Sequence, residues 1–117
     1  MKRKISLLII DDHPLFREGL KAIIGRDPRF EVIGEAGTAA DGIRLAEALQ
    51  PNLVLLDISL PDQHGIQVTR ELRTLLPDTR ILIVSMHAKI DYIAEAFQAG
   101  ATGYVVKESA AERLLKG

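Results

Sequence analysis

Residues 5–12 read Ile-Ser-Leu-Leu-Ile-Ile-Asp-Asp, a short run of Ile and Leu that stops on two adjacent aspartates. An apolar run this short, with little alternation, predicts a strand buried on both faces of a parallel sheet. Similar runs recur at Phe30–Ala36, Leu53–Leu56, Ile81–Val84 and Gly103–Val106. The second run alternates and carries Glu31 and Glu35, which predicts an edge position. Helical patterns lie between the runs. Pro14 suits a first helical turn, with Leu15, Leu20, Ile23 and Ile24 forming its apolar face. Thr38 is placed to cap a helix through Leu49, whose inward face is Ile43, Ala46 and Leu49, with Pro51 just beyond. Further helices are predicted at about Gly65–Leu76, at about Lys89–Ala99 before Gly100, and over roughly two turns at Ser109–Lys116. Strand followed by helix, five times over, predicts a three-layer α/β domain with parallel strands and right-handed crossovers.

Composition agrees with that reading. The chain has 117 residues, enough for one domain. Its 15 basic and 16 acidic side chains leave a net charge of −1, without the basic excess of a nucleic-acid-binding surface. No apolar run is long enough to span a membrane. The basic start Lys2-Arg3-Lys4 precedes too short an apolar stretch for a secretory signal. With no cysteine in the chain, a reducing cytoplasm is the expected location.

In an open parallel sheet, ligands bind beyond the carboxyl ends of the strands. The residues expected there are Asp11 and Asp12 after the first strand, Asp57 after the third, Ser85 after the fourth and Lys107 after the fifth. Three converging carboxylates repel unless a cation joins them. Oxygen ligands favour a hard ion, here Mg²⁺ completed by water. A carboxylate can also attack phosphorus, and the reaction needs a metal, a second cation and a positioned donor around the phosphoryl oxygens. Taken singly, each residue has a plainer reading. Asp12, for one, is placed to cap the helix that begins near Pro14. The histidines His13, His64 and His87 are scattered and predict no metal cluster of their own, and His64 and His87 read as solvated.

Over essentially the whole chain, the segments LLIIDDHPLFREGL, PNLVLLDISLPDQHG, ILIVS and GYVVK resemble the receiver domain of two-component response regulators. The opening IIDDHPLFREGL, and Glu108 where many receivers have proline after the lysine, look most like the NarL/FixJ (LuxR-type) subfamily. The resemblance implies a flavodoxin-like sheet of order 2-1-3-4-5. It implies that Asp57 accepts a phosphoryl group from a histidine kinase. Mg²⁺, with Mn²⁺ as a substitute, would be held by Asp12, Asp57 and the backbone carbonyl of Ser59, with Asp11 acting through water. Lys107 and Ser85 would contact the phosphoryl oxygens, and Tyr104 matches an aromatic that turns inward on activation. Ser59 and His87 occupy the positions that tune dephosphorylation. Met86 is larger than the residue usual after the serine, and Leu60 replaces a frequent methionine. Such a domain catalyses only its own phosphorylation and dephosphorylation, and some pair as homodimers when phosphorylated.

On this reading residues 1–117 are a receiver whose last helix, about 109–116, is cut short, with a helix-turn-helix DNA-binding output domain expected beyond it. The domain itself contacts neither nucleic acid nor membrane. The alternative is a stand-alone receiver that docks on a protein partner. A haloacid-dehalogenase-type phosphatase would need an Asp-x-Asp pair after the first strand, whereas Asp11 and Asp12 are adjacent.

Overall fold

A computed structural model of the chain describes residues 4–86 and 89–107. The elements run β1 (Ile5–Ile10), α1 (Pro14–Ile24), β2 (Phe30–Ala36), α2 (Ala39–Leu49), β3 (Leu53–Asp57), α3 (Gly65–Leu75), β4 (Arg80–Ser85), α4 (Ile90–Ala99) and β5 (Gly103–Val106). All four strand pairings are parallel and the order is β2-β1-β3-β4-β5. This is the predicted sheet, and the alternating strand β2 lies at its edge. The predicted helix Ser109–Lys116, Glu108 and His87 lie outside the described residues.

Burial explains why the central strands carry no polar face. Leu7, Leu8, Ile9 and Ile10 of β1 are all fully buried. Their side chains point alternately to the two sides of the sheet. Leu8 and Ile10 join Val54, Leu56 and Ile83 in a core with Ala39 and Ala46 of α2, Val68 and Leu72 of α3, and Ala96 of α4. Leu7 and Ile9 pack with Leu55 against Leu20 and Ile24 of α1 on the other side. Burying each such side chain contributes about 1.5–3 kcal/mol. At the edge, the β1–β2 register slips between Leu7 and Leu8, so Ile33 has no partner in the ladder.

Two strands run further than the apolar pattern suggests. β3 includes Asp57, paired in register with Val84, and β4 extends from Arg80 to Ser85. Backbone pairing continues past the last apolar residue, which carries Asp57 and Ser85 on the sheet itself. The helix ends follow their local chemistry. Thr38 caps α2 by accepting from the Asp41 amide at 3.2 Å. Gly100 ends α4 at φ 111°, a left-handed conformation that glycine adopts without steric cost.

Candidate phosphoacceptor pocket

The carboxyl ends of β1, β3, β4 and β5 bring Asp11, Asp57, Ser85 and Lys107 to one edge of the sheet, and all four are buried. Asp57 is 2% exposed. Its Oδ1 accepts from the Ser59 amide at 3.1 Å, whereas its Oδ2 is buried with no hydrogen-bond partner. Asp12 Oδ1 is likewise buried without one. Burial pushes the Asp57 carboxyl above its ordinary range, and the Asp11 charge adds to the rise. The Ser59 amide and Lys107 act in the opposite direction.

Lys107 Nζ lies 2.9 Å from Asp11 Oδ2 and 3.5 Å from Asp57 Oδ2, so its nearer carboxylate is Asp11. It also stands 4.7 Å from the centre of the Phe16 ring, a cation–π contact that holds the ammonium over α1. Ser85 closes β4 one residue beyond the register partner of Asp57, and it pairs with Val106. Met86, the bulky residue after it, is 64% exposed. Tyr104 on β5 is half-buried and packs against the α2–α3–α4 core, as does Tyr92 of α4.

The loop after β3 is fixed at three points. The Gly65 amide donates to the Ile58 carbonyl at 2.7 Å. A Cβ on Gly65 would sit 2.6 Å from the Asp57 carbonyl oxygen, so only glycine lets α3 start this close to β3. Asp62 reaches across to α2 and accepts from the Ala39 and Ala40 amides at 2.8 and 3.0 Å. Those two bonds hold its carboxyl below the usual range. His64 Nδ1 accepts from the Ile66 amide at 3.2 Å to cap α3. His64 is exposed, as the solvated reading expects, and its ring also meets Tyr92 edge-on at 5.3 Å.

Two further residues belong to the pocket although the sequence pattern did not single them out. His13, not Asp12, is the N-cap of α1, and its amide donates to Asp11 Oδ1 at 2.8 Å. This leaves the Asp12 carboxylate for the pocket. His13 Nδ1 lies 3.0 Å from Asp11 Oδ1, 3.2 Å from Asp12 Oδ1 and 2.7 Å from Lys107 Nζ. Arg17, one turn along α1, donates from Nη1 to the Asp11 carbonyl and from Nε to Glu35 Oε1 at 2.9 Å. The only available signal for either residue was its place in the first turns of the helix that leaves the acidic pair.

Two buried carboxylate oxygens without hydrogen-bond partners, on Asp12 and Asp57, with the Asp11 carboxylate within the same 4.8 Å cluster, fit a divalent cation. The donor set of Asp11, Asp12 and Asp57 is of the hard oxygen kind. Among the described residues, no helix is long and apolar enough to cross a membrane.

Residues 7–117 match the family model described as the response regulator receiver domain. The chain is 37% identical over 115 residues to the transcriptional regulatory protein DegU of Brevibacillus brevis, covering 98% of this chain and 49% of that protein. It is 39% identical over 111 residues to the nitrate/nitrite response regulator NarL of Escherichia coli, covering 95% of this chain and 51% of NarL. A crystal structure of a LuxR-family two-component response regulator from Aurantimonas superposes with a TM-score of 0.91 at 38% identity, over 97% of this chain and 81% of that one. The chain therefore spans about half the length of the curated relatives it matches. With a sheet of order 2-1-3-4-5 and an acidic pocket at the carboxyl ends of its strands, this chain belongs to the response regulator receiver domain family, and its relatives are regulators of the NarL, DegU and LuxR type.

Proposed function

We propose that this receiver is a phosphorylation switch in which Asp57 accepts a phosphoryl group from the phosphohistidine of a histidine kinase. The observation that carries the proposal is the Asp57 carboxylate: buried, with one oxygen held by the Ser59 amide and the other without a hydrogen-bond partner. In the transfer, an Asp57 oxygen forms a bond to phosphorus, the phosphorus–nitrogen bond breaks, and the kinase imidazole leaves. Asp12, Asp57 and the Ser59 carbonyl would hold Mg²⁺, or Mn²⁺ in its place, with Asp11 acting through water. The ion, when bound, supplies positive charge against the phosphoryl oxygens.

The chain's own residues do the rest. Lys107, already within reach of both Asp11 and Asp57, pairs with the phosphoryl oxygens. The Ser85 hydroxyl donates to the phosphoryl group and draws the end of β4 inward. Tyr104, packed against the core from β5, turns with it, and the α4–β5 surface carries the signal outward. The domain then removes its own phosphoryl group by hydrolysis at a rate set by the residues at 59 and 87. Because the chain spans about half the length of its relatives, we assign the signal to a DNA-binding output domain following residue 117, in a cytoplasmic regulator that pairs when phosphorylated.

The test is covalent capture. Incubated with Mg²⁺ and acetyl phosphate, the protein gains a hydroxylamine-labile phosphoryl mass, and Asp57→Asn gains none. Equal labelling of the two proteins would remove Asp57 from its role.

A further inference from the structure

Arg17 takes no part in the phosphoryl-transfer reading, yet it reaches the backbone of the acidic pair. Its side chain is only 19% exposed, and its guanidinium makes two bonds to different parts of the fold. Nε donates to Glu35 Oε1 at 2.9 Å, and Nη1 donates to the Asp11 carbonyl. Glu35 stands on β2 as the register partner of Ile9, and Lys21 Nζ holds its other oxygen at 2.5 Å. A guanidinium is rigid, planar and always charged, so it holds both acceptors in one fixed geometry.

The Asp11 carbonyl belongs to the peptide that joins Asp11 to Asp12, and that unit is planar. Its orientation therefore sets the direction in which Asp12 leaves the sheet. The other polar groups of Asp11 are held as well: its amide donates to the Ala36 carbonyl at 2.9 Å, and its Oδ1 accepts from the His13 amide at 2.8 Å. Asp12 differs. Its Oδ1 is buried with no hydrogen-bond partner, so no bond on that oxygen steers the carboxylate and the backbone aims it.

We infer that Arg17 is a positioning residue: anchored by Glu35, it fixes the Asp11–Asp12 peptide and so aims the Asp12 carboxylate at the cation. This rests on reading the pocket as a Mg²⁺ site. The role runs against simple charge. A cation beside an acidic pocket repels a second cation, so by charge alone the loss of Arg17 tightens Mg²⁺ binding. Through the peptide, the same loss weakens it. The sign of the change separates the two.

Titration with Mg²⁺, followed by amide chemical shifts, tests the assignment on the wild-type chain, Arg17→Ala, Arg17→Met, Lys21→Met and Asp12→Ala, each shown by urea unfolding to be folded without metal. Arg17→Met keeps the apolar stem that packs along α1 and removes only the guanidinium. Both Arg17 variants should lose Mg²⁺ affinity by about tenfold. Lys21→Met removes the other cation on Glu35 but leaves the Asp11 carbonyl bond, and should change affinity by less than about threefold. If a folded Arg17 variant binds Mg²⁺ as tightly as the wild type or more tightly, or if Lys21→Met weakens binding as much, Arg17 does not position Asp12. If the wild-type chain binds no Mg²⁺, or Asp12→Ala binds it equally well, the cation reading of the pocket fails and takes this role with it.

Discussion

Two clusters of charge flank α1, and they are built on opposite principles. On the β2 side, Glu35 is held by Lys21 Nζ at 2.5 Å and Arg17 Nε at 2.9 Å, and Lys21 also meets Glu18 at 2.6 Å. The bond from Lys21, aided by Arg17, keeps the Glu35 carboxyl below its usual range. On the pocket side, Asp11 and Asp57 share the buried Lys107 ammonium beside a third carboxylate, Asp12, and burial pushes Asp57 upward instead. The first cluster satisfies its charges within the protein. The second leaves acceptor capacity for something that binds. The difference teaches where function sits: structural ion pairs are balanced, whereas the pocket is held short of positive charge. Arg17 links the two, since one side chain serves both Glu35 and the Asp11 carbonyl.

Removing the scarce cation should therefore cost more than removing a member of the balanced cluster. Lys107→Met leaves Asp11 and Asp57 without their ammonium and should destabilise the domain by about 3 kcal/mol in urea unfolding without added metal. A loss below about 1 kcal/mol would mean that the carboxylates do not depend on Lys107. Glu35→Gln breaks partly exposed pairs and should cost less than about 1 kcal/mol, with the cost shrinking further in high salt. Should Glu35→Gln prove the costlier of the two, the contrast between the clusters collapses.

Most of the fold could be read from residue pattern, because buried parallel strands leave a continuous apolar signature and Thr38 and Gly100 mark helix ends by their own chemistry. The strand-end rule was enough to group Asp11, Asp57, Ser85 and Lys107, since each closes or directly follows an apolar run. It could not show that β3 and β4 continue through Asp57 and Ser85, because backbone pairing does not require an apolar side chain. Nor could it show how α1 leaves the sheet. His13 reaches the pocket because it caps that helix, and Arg17 reaches Asp11 because it lies one turn further on. Asp62 was hidden for a related reason, since its partners are the amides of α2, more than twenty residues away in sequence.

The central claim is that Asp57 is a buried carboxylate whose charge is left for a bound cation to meet. Its raised pKa means that the contribution of Asp57 to metal-free stability is greatest below about pH 4, where the carboxyl is protonated folded and unfolded alike. That contribution falls as pH rises from there toward the raised folded value, and it levels off once the buried group has ionised. The most direct measurement is therefore thermal unfolding of wild type and Asp57→Asn near neutral pH, with and without saturating Mg²⁺. Without the ion, Asp57→Asn should be the more stable by about 1–2 kcal/mol, because a buried charge with one oxygen left without a hydrogen bond is gone. With Mg²⁺ at about 100 times Kd, the wild type should gain about 2.7 kcal/mol and close or reverse that gap. A gap that Mg²⁺ leaves unchanged, or a metal-free Asp57→Asn less stable than the wild type, would contradict the account.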